Sequence, residues 1–99
     1  MIVIAGTVYV DPQHRPEAME RARSVSIASE QERGCRSYRI AADLRDPNLF
    51  HVFEVWDDEA ALAAHFQTQH LREFQIHLPR LVDGEMKITR YDVSNMQLL

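Results

Sequence analysis

Residues 2–10, Ile-Val-Ile-Ala-Gly-Thr-Val-Tyr-Val, form a short β-branched run ended by Asp11-Pro12, which predicts a strand. Ile2, Ile4, Val8 and Val10 share one face, and Val3, Ala5 and Tyr9 share the other, so both faces call for cover. From about Arg15 to Glu32 the pattern changes to helix formers. Pro16 and Glu17 suit a first turn, and Ala18, Ala22, Val25 and Ala28 recur at roughly helical spacing with Met19 beside them. Arg33-Gly34 supplies the stop.

Cys35–Ala42 predicts a second strand, with Tyr38 and Ile40 on one face and Arg39 on the other. The turn cluster 43–48 is short, so an antiparallel hairpin into Leu49–Trp56 is the simplest connection. That third strand sets Phe50, Val52, Glu54 and Trp56 on one face, and Leu49, His51, Phe53 and Val55 on the other. Asp57-Asp58-Glu59 then puts acids at a helix start, and the helix runs to about Gln67. Thr68 caps a second helical piece carrying Leu71, Phe74, Leu78 and Leu81, with Pro79 near its end. Asp83-Gly84 turns the chain into a last strand, Glu85–Val93, followed by the tail 94–99.

The order β-α-β-β-α-β predicts one α+β domain over residues 1–99: a ferredoxin-like, four-stranded antiparallel sheet with helices on one face. Helices cover a single face, yet three strands are apolar on both. The uncovered face therefore predicts a homodimer packed sheet on sheet, with Met96, Leu98 and Leu99 of the tail clamping across it.

Composition narrows the class. The 99 residues are 45% hydrophobic and 26% charged, with apolar positions along the whole length, which excludes a disordered chain. Eleven basic against 15 acidic residues give a net charge of −4, and the basic residues near Arg21 and Arg23 alternate with Glu17 and Glu20. Such a surface argues against nucleic acid. A single Cys35 forbids an internal disulfide and a cysteine-rich metal site, which suits a reducing cytoplasm. The opening run has no basic leader and is too short to span a bilayer, so a cytoplasmic protein without membrane contact is expected.

Phosphate-cradling glycine loops, HExxH, and the Gly-x-Ser-x-Gly elbow are absent, and flavin, nicotinamide and iron–sulfur binding have no positive support. What the sequence offers is a concentration of polar and aromatic groups between Tyr38 and His77. His65 and His70 on one continuous helix would diverge by about 140°, whereas a break at Thr68 can aim both into one space. Imidazoles there can take a proton from a phenol-like group, or serve only to cap a helix end. Glu54 sits on an otherwise apolar face and must be paired, protonated or at an edge. It is either a base or histidine orienter, or the partner of Arg39, Arg90 or an arginine of a second chain. Trp56 and Tyr38 are core residues first and pocket walls second. Tyr9 and Tyr91 read as packing or interface residues, and His77 as a surface residue.

Gly34-Cys35 with Tyr38, then Glu54-Val55-Trp56 followed by acids, then Ala64-His65-Phe66-Gln67-Thr68-Gln69-His70 resembles the antibiotic biosynthesis monooxygenase family. The similarity extends over most of the chain and leans toward the quinol monooxygenase and autoinducer-degrading branches. Gln69 departs from those branches, which commonly have proline there. The resemblance implies a dimeric α/β barrel, a small-molecule pocket between sheet and helices, and oxygenation by molecular oxygen without metal, flavin or haem. It further implies His65 and His70 as proton-transfer groups, Glu54 as orienter, and Trp56, Tyr38 and Phe66 as pocket walls. The haem-degrading branch fits poorly: the first strand has no Asn, His65 stands where a Trp is expected, and Gln75 lies near the expected iron ligand.

Three readings follow: a cofactor-independent oxygenase of a small quinol or polyphenol, a proton-shuttling isomerase or lyase of an oxygenated metabolite, and a non-catalytic small-molecule-binding stress protein. Oxygen uptake separates the first from the second. Ligand binding without turnover marks the third.

Overall fold

Four strands, β1 (Ile2–Tyr9), β2 (Cys35–Ala42), β3 (Leu49–Trp56) and β4 (Lys87–Asp92), form one sheet in the computed structural model, which describes residues 1–99. All neighbours run antiparallel, in the order β2-β3-β1-β4. Three helices, α1 (Arg15–Glu30), α2 (Glu59–His65) and α3 (Gln69–Leu81), complete an α+β, ferredoxin-like fold, with a 3-10 turn at Pro12–His14 leading into α1.

The caps fall where short polar side chains can satisfy free helical N–H groups. Asp58 accepts from the Ala61 N–H at the start of α2, and Thr68 from the Leu71 N–H at the start of α3. Two of the boundaries that differ from the sequence expectation bear on the site. α1 stops at Glu30 rather than Glu32, because the chain bends into a turn closed by Gly34 at φ +84°. Its buried stripe is Ala18, Ala22, Val25 and Ser29, so Ser29 takes the place expected of Ala28. α2 stops at His65 rather than Gln67, since the Thr68 hydroxyl bonds the His65 carbonyl and starts a new helix. At the far end, β4 is shorter than the Glu85–Val93 expected, because its ladder with β1 runs only from Thr7–Lys87 to Ile2–Asp92.

Two apolar clusters hold the helices to the sheet. One gathers Ile2, Val25, Tyr38, Trp56, Leu62 and Leu71; the other gathers Val8, Val10, Ala18, Ala22, Phe50 and Leu81. The small residues of α1 let it lie against β2. α3 packs on α1 and stands off from the sheet. Its Phe74 and Leu78, expected to be core residues, are only half-buried because they face the gap that results.

Strand register sets the floor of that gap. Tyr38 pairs with Glu54, Glu54 with Ile4, and Ile4 with Arg90, so these four side chains form one row across the helix-facing side of the sheet. The opposite side carries Val3, Ala5, Phe53, Val55 and Tyr91 and has no helix over it. Phe53 is 46% exposed and Tyr91 52%. The tail after Val93 forms no helix or strand, and Met96, Leu98 and Leu99 are exposed. No helix is long and apolar enough to cross a membrane.

Candidate functional site

The gap between α3 and the sheet is a cavity of about 320 Å³, within the range that holds a small organic ligand. All but four of its 21 lining residues are hydrophobic. The exceptions are Glu54, His65, Gln75 and Arg90. A ligand inside would therefore lie against mostly apolar walls and meet polar groups at only a few points, with one side open to solvent past the exposed Phe66, Met86 and Ile88.

His65, the last residue of α2, has a fully buried side chain. Its ring lies against Trp56, with centroids 4.5 Å apart, and near Tyr38 at 5.5 Å. His65 Nδ1 donates to Glu32 Oε2 at 2.7 Å, because a carboxylate can only accept. A neutral imidazole with its proton on Nδ1 leaves Nε2 as a lone pair, and Nε2 makes no hydrogen bond within the chain. His70 Nε2 donates to the same Glu32 oxygen, also at 2.7 Å. The helix break brings both rings to one carboxylate, as the sequence required for them to share a space. They do not share a surface, however. His65 is on the cavity wall, while His70, with 29% of its side chain exposed, borders a shallow outer cleft beside Glu17 and Glu73.

Glu54 makes no hydrogen bond or ion pair with either histidine or with any arginine. It accepts the Trp56 Nε1–H at 3.0 Å, while Arg39 pairs with Glu30 and Arg90 with Glu59 and Asp92. Burial pushes the Glu54 carboxyl up to about 6; the charge of Glu32 adds to the rise, and the Trp56 hydrogen bond opposes it. Trp56 has no exposed surface and does not line the cavity; it backs His65 and satisfies Glu54. Tyr38 does line it, and burial together with the Glu54 and Glu32 charges pushes its hydroxyl far above the usual phenol range. That hydroxyl keeps its proton and can donate. Phe66, half-exposed, stands at the edge of the same cavity. Cys35 is held as a thiol, raised to about 11 chiefly by burial. His77 is half-buried rather than fully exposed, against Arg80.

Glu32 was not legible as a site residue in the sequence. It lies 33 positions before His65 in a polar turn, where nothing in spacing or composition separates it from Glu30. Arg90 was foreseen only as a partner of Glu54; the register instead puts it at the cavity's edge.

Residues 1–76 match the antibiotic biosynthesis monooxygenase family. A Bacillus subtilis protein named "Putative monooxygenase YcnE" is 30% identical over 94 residues, covering 95% of this chain and 99% of its own length. An uncharacterized Synechocystis protein is 36% identical over 98 residues, 99% of this chain and 67% of that protein. Among solved structures, a putative antibiotic biosynthesis monooxygenase from Deinococcus radiodurans superposes with a TM-score of 0.90 at 26% identity, covering 100% of this chain and 98% of that one.

Proposed function

Because the chain belongs to the antibiotic biosynthesis monooxygenase family, we propose that it is a monooxygenase that oxidises a small quinol or polyphenol with molecular oxygen and no cofactor, as in the quinol-oxidising branch. The observation that carries this reading is His65. One ring nitrogen is fixed by Glu32, the ring rests on Trp56, and the residue borders an apolar cavity that fits one small aromatic molecule.

In this reading His65 Nε2 takes the hydroxyl proton of the bound quinol, a step that contributes about 10²–10⁴-fold. The resulting anion is electron-rich enough to reduce oxygen directly. One oxygen atom enters the ring and the other leaves as water, and the substrate supplies all the electrons as it becomes a hydroxyquinone. Glu32 compensates the charge that His65 gains, as a carboxylate does behind a catalytic imidazole. His70, beyond Glu32 and partly exposed, offers the proton a way out to solvent. Tyr38 and Glu54, side by side on the cavity floor, can hold the substrate's oxygen atoms, while the apolar walls keep water from the anion.

An oxygen electrode with a panel of naphthoquinols and catechols, run on EDTA-treated protein, tests this. One oxygen should be consumed per quinol, and His65→Ala should lower kcat by roughly 100-fold or more. His51→Ala, which removes only the surface pair with Asp43, should change nothing. Turnover without oxygen uptake would instead assign the site to proton-shuttling isomerisation. Binding without any turnover would make it a ligand-holding module.

A further inference from the structure

We propose that Glu32, His65 and His70 also form a binding site for a divalent transition-metal ion of the Zn²⁺ type, and that a bound ion stops His65 from acting as a base. Two imidazoles and one carboxylate form a donor set that suits Zn²⁺ and its neighbours, with a fourth position left open. The three ligating atoms, Glu32 Oε2, His65 Nδ1 and His70 Nε2, all lie within 4.8 Å of one another. Each ring nitrogen is 2.7 Å from the same carboxylate oxygen.

The geometry is close to what an ion needs. Tetrahedral coordination with bonds of about 2.0–2.1 Å separates neighbouring donors by roughly 3.4 Å. For an ion to enter where two N–H bonds now point, each nitrogen needs to draw back from Glu32 Oε2 by roughly 0.7 Å, and the three donors, now within 4.8 Å of one another, need to settle at about 3.4 Å apart. The ligands come from three segments fixed by helix ends: the turn after α1, the last residue of α2 and the second residue of α3. The ion would replace hydrogen-bond protons at a carboxylate that already gathers both rings, and its charge would offset that of Glu32.

The consequence for His65 is a matter of tautomers. An ion on Nδ1 takes that lone pair, so the ring proton moves to Nε2. Nε2 then donates and cannot accept a phenolic proton. This second half rests on the oxygenase reading; the metal site does not.

Titrating EDTA-stripped protein with Co²⁺, followed by its visible d–d absorption, and equilibrium dialysis against Zn²⁺ test the site without any substrate. One ion per chain is expected, with affinity lowered roughly 10-fold or more in both His70→Ala and Glu32→Gln and unchanged in His51→Ala. His70 is partly exposed, so its variant should fold, and matching circular dichroism and unfolding midpoints would establish that it does. No uptake, or uptake indifferent to both substitutions, overturns the proposal. In the oxygen-electrode assay Zn²⁺ should abolish turnover and EDTA restore it; turnover unaffected at saturating Zn²⁺ would remove the inhibitory role even with the ion bound.

Discussion

Replacing Glu54 by Gln should stabilise the protein at neutral pH and leave it almost unchanged in acid. Burial moves this carboxyl from its ordinary 4.5 up to about 6. A rise of about 1.5 at 1.36 kcal/mol per pH unit costs roughly 2 kcal/mol once the group is ionised. The folded chain binds this proton more tightly than the unfolded chain does. Stability from this group is therefore fully present below pH 4.5 and is lost as pH rises through about 6. Gln has nearly the same volume and still offers a carbonyl oxygen to the Trp56 N–H, so the change removes the charge and little else. Urea unfolding followed through the single tryptophan, at fixed protein concentration and in metal-free buffer, reads the effect from pH 4 to 8. The stability difference between variant and parent should grow from near zero to roughly 2 kcal/mol across that range, or about 8 °C or more in Tm at pH 7.5. A difference that stays flat with pH would refute the argument that burial, rather than the Trp56 contact, governs this carboxyl.

Two further outcomes follow from the packing. The open face carrying Phe53, Val55 and Tyr91 should pair with its copy, so sedimentation at micromolar concentration should give a dimer, and Phe53→Glu should shift it toward monomer with unchanged circular dichroism. A stable monomer of the unmodified chain would contradict this. Gly34→Ala should destabilise the fold by about 1–3 kcal/mol in thermal unfolding, because position 34 has φ +84° and its new Cβ would stand 2.5 Å from the Ala61 Cβ; an unchanged Tm would contradict it.

The fold was open to prediction because each element carries its own local signal. The β-branched run 2–10, the helix-forming stretch after Pro16 and the caps at Asp58 and Thr68 all act within a few residues of where they stand. Even the convergence of His65 and His70 was half-visible, since one polar cap at Thr68 suffices to break the helix between them. The boundaries slipped where a local signal competes with a tertiary one. α1 ends early because the turn through Gly34 must deliver the chain to β2, and β4 is short because it pairs along only part of β1.

What the amino-acid order determined by itself, then, is the succession of strands and helices and the face each residue occupies, since periods of two and 3.6 are properties of a single segment. Tertiary structure alone decided which carboxylate meets the histidines. Glu54 lay nearer in sequence and on a buried face, yet strand geometry turns it toward Trp56, while Glu32 arrives from a distant turn. It also decided that Phe74 and Leu78 border open space, because the standoff of α3 from the sheet is set by how two helices pack. Contacts between segments far apart in the chain depend on distances that no local pattern encodes.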